Sequence, residues 1–407
     1  MSYINNVSIN TDNATGTAFG RLRVASPSYV FDTNFQYDLQ PLIFEQVASG
    51  TGATVTHDAT NRNALMTFSS TPTGGSAYMQ TFEHFRYQAG RSQLIFLTFN
   101  MLGGVENVLK FAGYSDGNNG ICFQLNGTTP RFALLSDTDK GDLFVNQSNW
   151  NVDKLDGTGK SGINLDFTKT QILVIDLQWL GVGRVRVGFD IDGVVVVAHQ
   201  FIHANYQTVA YMQTANLPIR AGMTCTGTVS TTMRFICASV TSEGGTQELT
   251  GYTHVQTASA TASQDARTHI LSIRPRTTFN SIANRAKFVL ENLDIAVTGN
   301  APVYWELVLG QAITGTTTYT NVNATYSAFE YNSAGTISGS PSIILAAGYV
   351  ASSSNTKGAL NKAISNKYPI TLDAAGAVRS LGTISLLATG IANASNMRAS
   401  MTWTEIR

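Results

Sequence analysis

The clearest indication of the fold class is Arg184-Val185-Arg186-Val187-Gly188-Phe189-Asp190-Ile191, then Asp192-Gly193, then Val194-Val195-Val196-Val197-Ala198-His199. Apolar and polar side chains alternate before the Asp-Gly pair, and a β-branched run follows it. Because Asp-Gly is favoured in two-residue turns between antiparallel strands, the stretch predicts a β-hairpin. The four consecutive valines predict that the second strand is buried on both faces.

The same two-residue period continues on both sides of this hairpin. Strands are predicted at residues 93–99 and 171–179 in the first half, and at 287–297, 303–309, 342–350, 382–388 and 397–406 in the second. Turn pairs recur at 116–117, 119–120 and 126–127. Closely spaced strands joined by such turns are typical of an antiparallel sandwich or jelly roll. Helical periodicity is almost absent, and short helical turns are expected only at 281–287 and 361–366.

A change in composition divides the chain into segments. The Ser242-Glu243-Gly244-Gly245 stretch marks a boundary, residues 257–263 (TASATAS) are typical of a linker, and a new strand series begins at Ile270. We therefore predict an all-β protein with two antiparallel β-sandwich or jelly-roll-like domains and an extended N-terminal arm. The predicted segments are the arm at 1–19, the first domain at 20–245 and the second at 246–407.

The composition excludes several classes of protein. The chain has 407 residues, with 26 Lys+Arg against 26 Asp+Glu, and only 13% of it is charged. Soluble domains carry roughly 25% charged residues. A disordered chain would be less apolar or carry a large net charge, and a nucleic-acid-binding protein would show a basic excess. A neutral surface so poor in charge is tolerated best where other subunits cover it.

The cysteines and the N-terminal residues indicate the cellular compartment of the protein. Cys122, Cys225 and Cys237 match no zinc or redox spacing, so we expect buried structural thiols in a reducing cytoplasm. The first residues carry no basic and apolar signal pattern, and no apolar run approaches the roughly 18 residues of a membrane span. We expect neither export through a classical signal nor a membrane partner.

A glycine-rich loop and a histidine pair have ordinary structural explanations. Residues 156–161 (DGTGKS) resemble the end of a phosphate-binding loop, but Lys154 stands where the motif requires glycine. His199 and His203 lie too far apart along one strand to share a metal, at ~3.3 Å per residue. We therefore predict no cofactor and no metal site.

Two carboxylate pairs could serve a glycosidase. Asp190 and Asp192 could share a strand face, but the Asp-Gly turn already explains Asp192. Asp153 and Asp156, near Trp150, could form a sugar site, although a solvated loop is the simpler interpretation. No catalytic set follows from the spacing, and no repeats of a long β-helical depolymerase are visible. We predict that the chain is not an enzyme.

Arginines occur in pairs that would share one strand face. In a chain so poor in charge, such pairs could form bidentate bridges to carboxylates of a neighbouring subunit. Ordinary solvent-facing positions are the alternative. The predicted assembly residues are Arg21 and Arg23, Arg184 and Arg186, and Arg274 and Arg276.

Several longer motifs carry a resemblance to a known family. They are FGRLRVA (19–25) with FD (31–32), YQAGRSQ (87–93), WNVDKLDG (150–157), DLQWLGVGRVR (176–186), NLPIR (216–220), SEGG (242–245) and PVYWEL (302–307). With these motifs the chain resembles a group of tailed-bacteriophage virion structural proteins. The resemblance implies a capsid- or tail-associated protein of the decoration, collar or fibre type, and implies no catalytic residue.

The resemblance and the composition together predict a non-enzymatic virion protein that assembles in the host cytoplasm as a homo-oligomer, with a trimer expected. Its partners would be capsid, portal or collar, or tail proteins, contacted through the N-terminal part, and no nucleic acid. The alternative is a receptor-binding adhesin that recognises host-surface glycans. For this role the candidate stacking residues are Tyr304, Trp305, Tyr319, Tyr326 and Tyr331.

Overall fold

The computed structural model describes residues 16–23, 27–244, 251–352, 357–359 and 368–407. The chain forms two compact units, Met1–Gln247 and Glu248–Arg407. Each unit is built from antiparallel β-sheets, which confirms the predicted all-β sandwich class. Most of the predicted N-terminal arm lies outside the described residues.

The first unit contains fifteen strands among its described residues. They are Ser28–Asn34 (β1), Phe44–Ser49 (β2), Ala53–Asp58 (β3), Asn63–Thr71 (β4), Ser76–Thr81 (β5), Gln93–Asn100 (β6), Val108–Ser115 (β7), Gly120–Asn126 (β8), Thr129–Leu135 (β9), Leu143–Asn146 (β10), Thr170–Leu177 (β11), Val185–Ile191 (β12), Val194–Phe201 (β13), Ile219–Cys225 (β14) and Val229–Ser242 (β15). A short 3₁₀ helix, Gln147–Asn149, follows β10.

These strands form two sheets around one core. The eight-stranded sheet has the order β13-β12-β11-β6-β15-β4-β3, with β1 also paired to β15. The seven-stranded sheet has the order β10-β9-β8-β7-β14-β5-β2. Phe99 of the first sheet stacks on Phe123 of the second with ring centroids 6.0 Å apart, and Phe189 packs edge-on against Phe123. The inner faces of the two sheets are therefore apolar, and their outer faces carry the polar side chains.

The hairpin predicted from the sequence is present as β12 and β13. Asp192 and Gly193 connect the strands with φ values of 53° and 82°, the left-handed conformations of a type I′ turn. The prediction that the valine run is buried on both faces is wrong. Strand β13 lies at the edge of its sheet, so Val194 is 62% exposed.

Lys110 on β7 points into the core of the first unit and is fully buried. Its Nζ donates hydrogen bonds to the carbonyl oxygens of Met101 (2.6 Å), Gly103 (3.0 Å) and Thr232 (2.8 Å). Three acceptors match the three N–H donors of an ammonium group. Burial lowers the pKa of Lys110 to about 8.

The second unit contains fourteen strands among its described residues. They are Tyr252–Ala262 (β16), Thr268–Pro275 (β17), Thr278–Phe279 (β18), Ile282–Ala283 (β19), Lys287–Val297 (β20), Val303–Leu309 (β21), Ala312–Gly315 (β22), Thr320–Asn321 (β23), Phe329–Asn332 (β24), Gly335–Ser338 (β25), Ile343–Val350 (β26), Lys357–Ala359 (β27), Ile384–Gly390 (β28) and Ser395–Ile406 (β29). A 3₁₀ helix, Ser380–Gly382, precedes β28.

Two larger sheets form the second sandwich. Their orders are β16-β29-β20-β27 and β23-β24-β17-β28-β21-β26. The pairs β18-β19 and β22-β25 form two small ribbons beside them. Leu293 and Trp403 from the first sheet share a buried cluster with Leu307 and Leu386 from the second. The strands predicted for this half of the chain are therefore present.

Two local predictions in this unit are wrong. Residues 257–263 are not a linker, because most of them belong to strand β16, which pairs with β29 without a register shift. The small side chains of this segment show no alternation of apolar and polar residues, so the sequence pattern did not indicate a strand. Threonine nevertheless favours strand formation. Residues 281–287 are not helical, because Ile282–Ala283 pairs with Thr278–Phe279. The other expected helical turn, at 361–366, lies outside the described residues.

Among the described residues, no helix combines the length and the apolar character that crossing a membrane would require.

Candidate functional site

The candidate site lies on the outer face of the seven-stranded sheet in the first unit. Side chains alternate along each strand, so Ile121 and Phe123 of β8 enter the core. Cys122 and Gln124 of the same strand therefore face outward, and both are nevertheless buried. This burial shows that the outer face is concave and filled by its own larger side chains at this position.

A cleft of about 290 Å³ opens on this face. We call it the arginine cleft, after its two guanidinium groups. Its lining residues are Leu109, Phe111, Ser115, Gly117, Cys122, Gln124, Arg131, Leu135, Asp142, Phe144, Arg220 and Thr224. They come from strands β7, β8, β9, β10 and β14 and from the turns between them. The cleft therefore combines apolar walls with a small number of polar groups, as ligand-binding sites commonly do.

Arg220 on β14 is held in place by hydrogen bonds and by two aromatic rings. Its Nη1 donates to the carbonyl oxygen of Asp116 at 2.6 Å and to Oε1 of Gln80 at 3.3 Å. The guanidinium carbon lies 4.2 Å from the ring centre of Tyr78 and 5.5 Å from that of Phe111. These cation–π contacts fix the plane of the guanidinium group. Burial lowers the pKa of Arg220 below its ordinary value, and the group remains a cation.

Arg131 on β9 is positioned in a similar way. Its Nε donates to Oε1 of Gln124 at 2.8 Å, and Gln124 in turn donates to the sulfur of Cys122. The guanidinium carbon lies 4.1 Å from the ring centre of Phe144, which is 44% exposed. Both arginines of the cleft therefore rest on an aromatic ring and use one part of the guanidinium group for internal hydrogen bonds.

Glycines make room for these side chains. Gly113 on β7 is the cross-strand partner of Arg220, and Gly222 is the partner of Tyr78. A Cβ atom at Gly222 would lie 2.2 Å from Cβ of Tyr78, and one at Gly113 would lie 2.4 Å from Cβ of Cys122. A side chain at either position would displace the neighbouring strand or fill the floor of the cleft.

The charge of the cleft is not balanced by ion pairs. Within the described part of the chain, neither Arg131 nor Arg220 has a carboxylate within 4.0 Å. Asp142 is the one carboxylate among the described lining residues, and its Oδ1 accepts a hydrogen bond from the Ser136 N–H at 2.8 Å. The carboxylates of Asp116 and Glu45 act on Arg220 at longer range, so the cleft holds two cations without a direct ion pair and not an excess of positive charge.

Two of the arginine pairs predicted from the sequence lie on the other outer face, that of the eight-stranded sheet. Arg23 and Arg186 both bind Oδ2 of Asp176, and Arg23 Nε lies 3.3 Å from Oε1 of Glu243. We call these four residues the buried charge cluster. Residues 16–23 cover it, since the carbonyl oxygen of Gly16 accepts a hydrogen bond from Arg186.

The remaining predicted arginines also have partners within the chain. Arg184 donates to the carbonyl oxygen of Ala18 at 3.1 Å, and Arg21 lies over the ring of Phe19. Arg274 binds Glu330 at 2.6 Å, and Arg276 donates to the carbonyl oxygen of Ser327 at 3.0 Å. The predicted assembly role of the six arginines stays a prediction. Arg131 and Arg220 were not identified from the sequence, because each stands alone in its strand.

The carboxylates singled out in the sequence have local structural roles. Asp190 accepts a hydrogen bond from the N–H of Gly193 in the hairpin turn at 2.9 Å. Asp153 is buried and accepts from the N–H groups of Leu155 and Ser161, so it shapes the loop that resembles a phosphate-binding motif. Asp156 accepts from Thr158 in the same loop.

The histidine pair is internal. His199 is buried edge-on against Phe201, and its Nδ1 accepts a hydrogen bond from the Asn151 N–H at 3.2 Å. Burial lowers the pKa of His199 to about 4. His203 stacks on Tyr211 with ring centroids 4.0 Å apart. Among the described residues, no group of three or more metal-ligating side chains comes together.

The aromatic residues proposed for sugar stacking in the second unit are mostly committed to internal contacts. Trp305 is buried, and Tyr319 lies under the guanidinium of Arg274 at 3.6 Å. Tyr331 packs against the core, whereas Tyr326 is 62% exposed.

The first unit is therefore an antiparallel β-sandwich with an arginine-lined cleft on one outer face. No protein-family model matches the chain, and no curated protein matches it. Solved structures with a distant likeness include an endo-1,3-β-glucanase from Streptomyces sioyaensis, at 12% identity and a TM-score of 0.36 over 54% of this chain and 97% of that one. A Bacillus licheniformis β-glucanase matches at 12% identity and a TM-score of 0.31, over 54% and 99% of the two chains.

A third match is described as a carbohydrate esterase from the Shiga toxin-encoding bacteriophage phi24B, at 11% identity and a TM-score of 0.32 over 53% and 99% of the two chains. No substrate or reaction is carried over from proteins so distant. These matches nevertheless contradict the prediction that the chain is not an enzyme, because they include hydrolases and an esterase. That prediction rested on the lack of a local motif, yet catalytic groups are recognised by geometry and not by their spacing in sequence.

Proposed function

We propose that the chain is a structural component of a tailed-bacteriophage virion, incorporated as a homo-oligomer, with a trimer as the expected state. The sequence resemblance supports the class of particle. The structural observation that carries the proposal is strand β16, Tyr252–Ala262, at the edge of its sheet.

Edge strands in monomeric proteins are usually protected by charged residues, proline or a bulge, because their free N–H and C=O groups pair with other chains. Strand β16 contains no lysine, arginine, aspartate, glutamate or proline over eleven residues, and its register with β29 has no shift. Val255, on its exposed side, is 56% accessible. An unprotected edge of this length fits a chain whose edge is covered by a second copy in the assembled particle.

The oligomer is tested by the mass of the purified full chain in light scattering. A multiple of the chain mass is expected for the natural sequence. The double variant Val255→Lys and Thr257→Lys places charges on the edge and is expected to give the mass of one chain. Thr314→Lys, on the exposed ribbon strand β22, is the matched control and is expected to keep the oligomer. A natural chain of single-chain mass would contradict the homo-oligomer.

Incorporation into the particle is tested by quantifying the protein against the major capsid protein in purified virions. A number of copies close to that of the capsid protein indicates decoration, and a small multiple of three indicates a collar or fibre.

Deleting residues 1–15 tests attachment through the N-terminal part while keeping residues 16–23, which pack on the first unit. The deletion is expected to abolish incorporation. Virions that lack the full-length protein would contradict the virion role.

A second candidate function, recognition of host-surface glycans, is favoured by the arginine cleft. Apolar walls and exposed aromatic carbon suit the faces of sugar rings, and guanidinium and amide groups suit their oxygens. Binding of the purified protein to a glycan array, together with competition against virion adsorption, tests this role. Loss of both signals would remove it.

A further inference from the structure

We infer that the arginine cleft binds a glycan that carries carboxylate groups, such as a uronic or sialic acid, with the carboxylate held by Arg131 and Arg220. This inference rests on the proposed glycan recognition and specifies its ligand. It follows from the donors that the two arginines leave unused, from their accessibility, and from the lack of a direct ion pair at either guanidinium group in the described structure.

Each guanidinium group keeps one side without an internal partner in the described structure. Arg131 uses Nε for Gln124, which leaves its two terminal nitrogens. Arg220 uses Nη1 for Asp116 and Gln80, which leaves Nε and Nη2. Two adjacent N–H donors in one plane are the arrangement that binds the two oxygens of a carboxylate.

These unused donors are accessible. Among the described residues, the polar side-chain atoms that are both buried and without a hydrogen bond include none from Arg131 or Arg220. Both side chains line the cleft. A ligand in the cleft can therefore reach the donors without displacing protein groups, and the aromatic contacts with Tyr78 and Phe144 already hold the guanidinium planes. Such preorganisation reduces the entropy that binding would otherwise cost.

The contrast with the rest of the chain makes the charge informative. Only 13% of the residues are charged, and Arg23, Arg186, Arg267 and Arg274 all meet a carboxylate within the chain. Arg131 and Arg220 form no such direct ion pair in the described structure, and Asp116 and Glu45 act on Arg220 only at longer range, so an anionic ligand would supply the carboxylate contact that the other arginines have within the chain. Asp142, which also lines the cleft, keeps Oδ2 as an acceptor for a sugar hydroxyl and repels a second negative charge nearby.

The size and the walls of the cleft fit a sugar better than a bare ion. Its volume of about 290 Å³ lies at the lower end of the ~300–1,000 Å³ of small-ligand pockets. Leu109, Leu135 and Phe111 give it apolar surface beside the arginines. A carboxylated sugar satisfies both parts of this lining, and a sulfated glycan offers an anion of a different shape.

The experiment uses the full chain on an array of uronic-acid, sialic-acid, sulfated and neutral oligosaccharides, with carboxyl-reduced forms of the acidic members. We expect retention of carboxylated glycans and loss on carboxyl reduction. Arg131→Gln is expected to weaken binding about tenfold or more, which is the effect of losing a charged hydrogen-bonded pair. Arg62→Gln, an exposed arginine of the same unit, is the matched control and is expected to bind as the natural chain does.

A second measurement separates the failure of this inference from the failure of glycan recognition. Titration of the protein with free glucuronate, and with glucose as its neutral match, is followed by the Nε–H resonances of Arg131 and Arg220. Shifts with glucuronate alone support the assignment of the carboxylate to the two arginines. If no array glycan is retained in the same protein, this carboxylate site stands and glycan recognition fails.

Other outcomes overturn the inference. Equal retention of neutral and acidic glycans, or retention of sulfated glycans only, would leave glycan recognition standing and remove the carboxylate. The absence of any arginine shift with glucuronate would also remove it. Arg220→Gln provides a second variant, and its circular dichroism spectrum shows whether lost binding reflects lost folding.

Discussion

Arginine side chains have opposite environments on the two outer faces of the first sandwich. On the eight-stranded sheet, Arg23 and Arg186 share the carboxylate of Asp176, and residues 16–23 cover them. On the seven-stranded sheet, Arg131 and Arg220 face a cleft, and aromatic rings take the place of a carboxylate. The same residue type is thus an internal structural group on one face and an accessible group that lines a cleft on the other.

The difference shows what determines whether an arginine is buried or accessible in a chain with few charged residues. A carboxylate on a neighbouring strand neutralises the arginines of the buried charge cluster, so a segment of chain can cover them. Without such a carboxylate, covering the arginines of the cleft would leave cations unpaired and desolvated. Those arginines therefore stay accessible.

Removal of the shared carboxylate should have the largest effect on stability and tests the difference between the two faces most directly. Asp176→Asn removes the carboxylate that Arg23 and Arg186 share, and we expect the free energy of unfolding of the first unit to fall by about 3–5 kcal/mol. Urea denaturation, with hydrogen exchange of peptides from strands β11 and β12, measures the change. Asp142→Asn in the arginine cleft is the matched control, with an expected change within about 0.5 kcal/mol. Equal effects of the two substitutions would contradict the distinction between the faces.

Removing an arginine from the cleft should have a smaller effect on stability. Arg220→Gln loses a hydrogen bond to Asp116 and contacts with two rings, so we expect a fall of about 1 kcal/mol in the free energy of unfolding. Arg131→Gln loses one ring and one hydrogen bond to a side chain and should cost about half as much. Denaturant titration of both variants tests the order. A loss as large as that of Asp176→Asn would mean that the cleft arginines serve stability above all.

Glu243 makes the stability of the buried charge cluster depend on pH. Burial raises the pKa of Glu243, and its nearest cation is Arg23. The folded chain therefore holds this proton more tightly than the unfolded chain, and ionised Glu243 lowers stability as pH rises through the folded pKa. Glu243→Gln removes this penalty, so the free energy of unfolding of the variant, relative to that of the natural chain, should rise as pH rises above about 4, the ordinary pKa of glutamate. A difference that falls over this range would contradict a raised pKa.

Much of the fold could be predicted because alternation and turn chemistry are local. The Asp192-Gly193 pair alone predicts the hairpin, and the predicted strand 287–297 is present as Lys287–Val297. Strand β16 was missed because its alternating threonine, serine and alanine differ little in polarity, so pairing with β29 decides its conformation. The exposure of Val194 depends on the position of β13 in the sheet, which alternation does not report.

The arginine cleft could not be predicted for a related reason. Arg131 and Arg220 are far apart in the sequence and come together only because β7 and β8 join strands β9 and β14 in one sheet. Paired arginines such as Arg184 and Arg186 are conspicuous in the sequence, yet they have partners within the chain. A lone outward-facing arginine in a strand carries no local signal of its role, since its role depends on whether a carboxylate stands on the neighbouring strand.

The buried Lys110 has a practical consequence for chemical labelling. Its amine is enclosed by three carbonyl groups, so acylating reagents reach it only when the first sandwich opens. Because burial lowers its pKa to about 8, a larger fraction of its amine is unprotonated near neutral pH than in an ordinary lysine. The rate of Lys110 acylation, followed by mass spectrometry of the purified protein, thus reports how often this unit opens.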